Sequence, residues 1–541
     1  MGLAVFKQTL NMKKILTLAV GTLLLAVPLS AQTVYDAAQI ANKDLNGTAR
    51  FVGMGGAMSA LGGDISTIAT NPAGIGIYRS NDLVTTFGLS AYGTESSFQG
   101  NKWSADNMRG DFDNIGLVWS NKIGNVTTLR YVNFGFNYKR AKSFYRNMEM
   151  GGNMGNLSQT YQMAWQASGS GIPDFGITNW GDYPFEDPNV GWLSAIGYKG
   201  YVIDPADDKG NYVGMYNNAD ASFRSEERGG VDQYDFNLSF NLSDRIYLGV
   251  TIGAYSVNYN KYTYYGENYT GVDAPQKYSL QSWNKIEGSG FDVKLGAIVR
   301  PFESSPLRIG FAVHTPTFYN LDYRTSAYIS SDVLNAETGT IDQWELDTRS
   351  ELAGGGDMVR SFRLRTPWTY NVSLGYTVGQ NFAFGAEYEY QDYSSMEFQS
   401  PEGFSSDFEW ENSAMPMLKG VSTFRVGMEY KVIPQFAFRA GYNFQSALFK
   451  SDAFKDLPFN SIQTDTDFAN TKALNNYTIG IGYRGSMFYA DLAYKFSSYK
   501  SDFYPFANFY TEGGGIVYET PEVTKVTNTR SQVLLTLGVR F

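Results

Sequence analysis

The sequence of 541 residues has no cysteine and a single histidine, His314. The missing cysteine excludes disulfides, thiol catalysis, iron–sulfur clusters, zinc–cysteine sites and a lipidated-cysteine anchor. One histidine leaves no basis for a histidine metal centre or a nucleophile–histidine triad. Charge is sparse too: Asp, Glu, Lys and Arg make up 18% of the chain, against about 25% in ordinary soluble domains. The balance is acidic, net −10 with a pI near 4.9, which argues against nucleic acid as a partner. Proline is limited to 17 residues. No segment beyond the N-terminal region approaches the roughly 20 apolar residues of a spanning helix, and mean hydropathy is −0.29. What is plentiful is aromatic or small: 39 Tyr, 37 Phe, 9 Trp and 57 Gly. That balance suits a chain that crosses a membrane with strands.

The N-terminus reads as an address. Lys13 and Lys14 precede an apolar run from Ile15 to Val27, with small residues at Ser30 and Ala31. This is the n-region, h-region and cleavage site of a signal peptide over residues 1–31, with Met12 as the expected start and cleavage after Ala31.

The mature chain alternates. Val533, Leu535, Leu537, Val539 and Phe541 share one face of the last segment, with Gln532, Thr536, Gly538 and Arg540 on the other. Successive strand side chains point to opposite faces, so one face is apolar and the other polar. The pattern recurs near 82–91, 111–120, 128–140, 231–241, 245–258, 287–300, 306–315, 368–378, 381–391, 421–432, 435–446, 474–484, 486–498 and 530–541. Short joins alternate with long ones at 92–110, 141–230, 259–286, 316–367, 392–420, 447–473 and 499–529. Tight periplasmic turns alternating with long extracellular loops are the outer-membrane arrangement. The expected fold is all-β: a 14-stranded antiparallel transmembrane β-barrel over residues 81–541, its largest loop at 141–230. The charges on the polar faces fix those faces as the lumen side, since Arg or Lys facing lipid at mid-bilayer costs about 2–4 kcal/mol.

Residues 32–80 do not alternate. A short helix is expected near Tyr35–Ala41, then a Gly/Ala-rich stretch from Arg50 to Asp64, then Asn71-Pro72-Ala73-Gly74. Small residues allow close backbone packing, as a small N-terminal hatch inside the barrel requires. The glycines at 53, 55 and 56 do not form a dinucleotide fingerprint, because position 58 is Met and no βαβ unit follows.

This motif, after a signal peptide and before fourteen strands, resembles the outer-membrane long-chain fatty acid transporter (FadL/TodX) family, and the chain likewise ends on an aromatic, Phe541. The resemblance implies passive transport of hydrophobic small molecules such as long-chain fatty acids, with no cofactor and no enzymatic step. It also implies lateral exit through the wall after hatch movement, with the opening at the third strand. Burial of an acyl chain is worth about 0.8 kcal/mol per CH₂, so an open aqueous pore offers such a ligand little. Candidate apolar lining is Met54, Met58, Leu61, Ile65 and Ile68, with Ile75 and Ile77 beside them. Candidate lumen contacts for an anionic head group are Arg308, Arg425, Arg439 and Lys294, the alternative being that they pair with Glu429, Asp292 and Asp491 to fill the lumen. Gly135, inside the third strand, is the candidate gate, and Phe541 the candidate signal to the barrel-assembly machinery. The expected setting is the outer membrane of a Gram-negative bacterium, among its lipids, as a monomer. Two alternatives stay open. One is a barrel partner in a type IX-like secretion complex, docking through 141–230. The other is a haem or general solute porin, with His314 as the one residue able to ligate iron.

Overall fold

The computed structural model of the chain describes residues 31–171, 184–215, 218–269 and 274–541. The expected signal peptide, apart from Ala31, lies outside the described residues. Fourteen strands form one antiparallel, closed wall. They are β1 (Asp82–Phe98), β2 (Asn101–Lys122), β3 (Leu129–Ser143), β4 (Ala219–Leu242), β5 (Ile246–Tyr269), β6 (Lys277–Val299) and β7 (Arg308–His314). The circuit continues with β8 (Thr369–Val378), β9 (Phe382–Asp392), β10 (Gly420–Ile433), β11 (Phe436–Gln445), β12 (Phe468–Arg484), β13 (Phe488–Tyr504) and β14 (Thr524–Arg540). The last strand pairs with the first, Asp82 opposite Arg540, which closes the barrel and removes its edge strands.

The alternation sets the faces as expected. Leu535 and Leu537 are 41% and 46% exposed, while Leu534 before them and Thr536 between them are fully buried. The outward side chains of the lower wall form an apolar belt that includes Phe134, Phe236, Ile252, Phe438 and Ile479. Such a belt, over a lumen rich in charge, is a lipid-facing surface.

Three of the expected long joins are largely strand, among them 316–367, where Phe318–Leu334 pairs with the upper half of β6 and in turn with Ile341–Asp347 and Met358–Arg365. Residues 92–110 continue β1 and β2 as a hairpin turning at Gln99-Gly100, both with positive φ. Residues 259–269 and 277–286 extend β5 and β6 far above the belt. The reason is an inversion of hydrophobic phase. In β5, Leu248 and Ile252 face outward low in the wall, whereas higher up Tyr255, Val257, Tyr259 and Tyr265 are buried on the inward side. Above the membrane the outside is water, so the apolar face turns inward, and the segments stop looking like barrel strands in sequence. The wall is therefore tall on one side, where β4, β5 and β6 have 24, 24 and 23 residues. It is low at β8, β9 and β11, with 10, 11 and 10 residues.

The inward apolar face supports a cap that is packed as a soluble domain is. Helices α3 (Gln159–Ser170) and α4 (Trp192–Lys199) bring Met163, Trp192, Leu193 and Ile196 into one core with Phe223, Tyr259 and Tyr265 of the wall. The N-terminal segment joins that core from below through α1 (Val34–Ala41), with Val34, Ala38 and Ile40 buried in it. It then descends through the lumen by α2 (Ala49–Gly53) and two 3₁₀ turns, Ile65–Ala69 and Pro72–Ile77, and leaves at the short-turn end just before β1.

Candidate functional site

The lower lumen is filled. Inward glycines Gly375, Gly385, Gly427 and Gly441 stand opposite one another across β8 to β11. A Cβ at Gly385, Gly427 or Gly441 would run into the backbone of Ala57, Met54 or Gly55. On the other side, Gly249 and Gly296 leave the same room for Pro72 and Asn71. Glycine here allows backbone of the enclosed segment to lie directly on backbone of the wall. Asn71 caps its 3₁₀ turn by accepting from the Ala73 amide at 3.1 Å, and its side-chain amide donates to the Ala297 carbonyl at 3.3 Å. Ser239 donates to the Pro72 carbonyl at 2.8 Å.

An ion network ties the same segment to the wall. Arg50 of α2 donates twice to Glu429, at 2.9 and 3.1 Å, and Arg439 donates to Glu429 at 2.7 Å and to Asp491 at 2.6 Å. Charges alternate along this chain, so each is balanced where water is scarce. A level higher, Lys294 bridges Asp235 and Asp292, and Arg425 bridges Glu387 and Glu389.

The upper lumen differs. A cavity of about 220 Å³ lies between α1 and the wall. Its lining is both aromatic and cationic: Tyr35, Tyr92, Phe144, Tyr259, Phe449 and Phe468 together with Lys142, Arg146, Lys472, Lys495 and Arg530. Asp44 and Glu227 supply part of the counter-charge, Asp44 to Arg530 at 3.0 Å and Glu227 to Arg146.

Beside this cavity the wall is interrupted. The β2–β3 ladder ends at Asn114 opposite Lys139. Above it, β2 pairs only with β1, and β3 carries a bulge at Ala141. Backbone groups freed in this way need other partners, and the enclosed segment provides them. The Asp44 amide donates to the Ala141 carbonyl at 2.8 Å, and the Asp44 carboxylate accepts from the Ser143 amide at 3.1 Å. The Asn46 side-chain amide spans the break, donating to Asp113 of β2 at 2.6 Å and to the Arg140 carbonyl of β3 at 3.0 Å. Outside, Phe112 of β2 stacks on Tyr138 of β3 at 5.7 Å. Tyr145 lies beneath Arg109, 4.0 Å from its ring, and near Arg228.

The cap is fastened by charge as well as by packing. Lys261 of β5 donates to Asp465 and Asp467 at 2.6 and 2.9 Å, and Lys455 pairs with Asp465 at 3.2 Å. Burial alone would raise the Asp465 carboxyl, but these two lysines hold it down at about 2. Burial pushes the nearby Asp456 carboxyl up to about 7.

The residues singled out in sequence fall mostly outside the cavity. Met54, Met58 and Leu61 pack with Val52, Ala493 and Leu534, and Ile65, Ile68 and Ile75 with Val84 and Val118. Ile77 packs on Ala73, Tyr247 and Ile298. These contacts seat the segment on the wall, and none of the seven lines the cavity. Arg425, Arg439 and Lys294 are occupied by wall carboxylates, and Arg308 donates to the Leu61 carbonyl. Gly135 is paired on both sides, to Val118 and Asn237, below the break. His314 is buried with Nε2 3.0 Å from the Thr70 carbonyl, and no group of acidic, cysteine or histidine side chains among the described residues could hold a metal ion. Phe541 follows β14, with its backbone paired to Asn81. The cations that do line the cavity were missed. Lys495 and Arg530 sit on inward strand faces and were findable by parity; Lys142 and Arg146 lie in a stretch read as loop.

A family model described as BamG matches residues 194–461. Among solved structures, a FadL homologue from Pseudomonas aeruginosa is similar at 14% identity, covering 93% of this chain and 99% of that one with a TM-score of 0.47. The toluene transporter TodX of P. putida matches at 11% identity over 92% and 99%, TM-score 0.43. The toluene transporter TbuX of Ralstonia pickettii matches at 12% over 92% and 99%, TM-score 0.42. No curated protein sequence matches the chain.

Proposed function

We propose that the chain is a passive outer-membrane transporter of hydrophobic small molecules, with amphiphiles such as long-chain fatty acids as its substrates. The observation that carries this reading is the coincidence of the cavity with the interrupted β2–β3 ladder. An amphiphile places its anionic head among Lys142, Lys495 and Arg530 and its apolar body against the aromatic rings, and it crosses the wall sideways between β2 and β3. Asn46 and Asp44 act as the inner latch and the Phe112–Tyr138 stack as the outer one. Only the stretch around residues 42–48 has to shift, while the glycine-seated part below stays in place and blocks the aqueous path. The gate on this reading lies at Arg140–Ser143, above Gly135. Native mass spectrometry with lipid extraction, on protein purified in detergents without acyl chains, tests it. A stoichiometric amphiphile that is lost in Lys142→Gln/Arg530→Gln supports the reading; an empty barrel under lipid supplementation sinks it.

A second reading is favoured by the BamG match, a family name that points to barrel-assembly machinery. On it, the barrel is a partner in an outer-membrane complex. Cross-linking in intact cells, with one defined partner recovered in stoichiometric amount and no ligand in the cavity, would favour it.

A further inference from the structure

The short-turn end of the barrel has a charge pattern that neither reading uses. Alternation places Lys122, Arg308, Lys431, Arg484 and Arg540 on the inward faces of their strands, at or within two residues of the strand end, and Arg300 follows directly after β6 with the same parity. The parity is anchored by buried neighbours: Ile298 before Arg300, Ala312 after Arg308, Glu429 before Lys431, Thr478 before Arg484, Thr536 before Arg540. Of these cations only Arg540 has a carboxylate partner among the described residues, Asp82 at 3.1 Å. The two other carboxylates of the turns are taken, Asp244 by Arg79 at 2.9 Å and Glu303 by Arg245 at 2.8 Å. Three of the remaining cations rest on neutral groups. Arg308 donates to the Leu61 carbonyl, Arg300 to the Asp244 carbonyl, and Arg484 lies over the Tyr489 ring at 5.3 Å. They also sit close to like charge, Arg308 near Arg79 and Arg300, and Arg484 near Arg50 and Arg540; the nearby carboxylates Glu429 and Asp491, which face Lys431 and Arg484, are already bonded to Arg50 and Arg439. All this belongs to a chain whose net charge is −10, so the acidic excess lies elsewhere.

Unpaired like charges gathered at a protein mouth repel one another, and an incoming anion relieves that repulsion. Direction decides which anion. Lipid head groups surround a barrel on its outer perimeter, and these side chains point toward the axis, over the exit of the enclosed segment. We propose that this mouth is a docking surface for an acidic segment of a periplasmic protein. The carboxylates of such a segment would reach Arg300 and Arg308 on one side of the exit and Lys431 and Arg484 on the other. The proposal stands apart from transport: it uses none of the cavity residues.

The full chain in phosphatidylcholine nanodiscs, titrated with a fluorescein-labelled oligoglutamate peptide, provides the test. The peptide should bind, and binding should weaken steeply with added salt. Arg308→Gln/Arg484→Gln should weaken it by about tenfold or more, whereas Arg308→Lys/Arg484→Lys should retain it. Retention of the folded form in cold SDS confirms that each variant is intact, and Arg300→Gln/Lys431→Gln serves if the first pair does not fold. Absent binding, or binding unchanged by the glutamine pairs, overturns the proposal. So does a mouth that ignores the peptide but retains phosphatidylglycerol in native mass spectrometry and loses it in the glutamine variants.

Discussion

The lower and upper halves of the lumen solve different problems with the same strands. Below, wall glycines admit the backbone of residues 54–61 and 71–73, and an alternating chain of charges clamps α2. Nothing there has room to move without breaking several contacts at once. Above, α1 stands away from the wall, a cavity opens, and a stretch of β3 exchanges strand pairing for bonds to Asp44 and Asn46. Close packing fixes the first half; replaceable hydrogen bonds hold the second. Regions that open locally are drawn from the second kind.

The largest expected effect comes from unseating the lower half. Valine at Gly441 drives its side chain into the Gly55 backbone; overpacking of this kind costs about 1–3 kcal/mol or more. Gly441→Val should turn an electrically silent barrel into a conducting one in planar bilayers. Continued silence would mean that the seat is not what closes the pore. Next is the ion network. Glu429→Leu leaves Arg50 and Arg439 without their shared carboxylate, a loss of about 3–5 kcal/mol for a broken buried pair, read as a lower urea midpoint in detergent.

A smaller and more local effect separates the halves. Asn46→Ala removes the link between Asp113 and the Arg140 carbonyl, worth about 1–3 kcal/mol where the group left behind is buried. Hydrogen exchange should quicken at Lys142–Phe144 and stay unchanged at Gly53–Leu61; equal change in both would erase the distinction. The smallest concerns the cap. The folded Asp456 carboxyl sits at about 7, above its ordinary value of 3.8. A raised carboxyl binds its proton more tightly when folded, so its contribution is complete below about pH 4 and is lost as pH rises through 7. Cap proteolysis should therefore accelerate from pH 5 to pH 8, and Asp456→Asn should flatten that trend.

The wall was legible because lipid outside and water inside impose opposite demands on alternate residues, as at Phe424 to Tyr430 or Val533 to Val539. That legibility ended where both conditions ended. Once β5 rises past Ile252 its outside is water and its inward Tyr255, Val257 and Tyr259 carry the apolar face, and from residue 259 on, beyond the expected strand 245–258, the chain reads as a join. The enclosed helix near Tyr35–Ala41 was visible in its apolar spacing. The site was not. Pairing of Arg439 and Lys294 with the lumen carboxylates Glu429, Asp491 and Asp292 was open in the sequence beside head-group binding, and the structure adopts it; the partners of Arg425, Glu387 and Glu389 on a neighbouring strand, were not anticipated. The break above Lys139 has no local signature, since its stitching residues, Asp44 and Asn46, come from a segment almost a hundred positions earlier.

Enclosure of residues 31–80 also orders events in time. The segment begins under the cap, passes down the full lumen and connects to β1, while β14 closes against β1 around it. A finished cylinder offers no route by which a folded stretch of that bulk enters afterwards. The segment is therefore expected to be in place, at least as a loose coil, before the final rung at Asp82 and Arg540 forms. On that order wall closure and lumen filling belong to one step, and a chain beginning at β1, supplied later with the missing piece as a separate peptide, is expected to stay hollow.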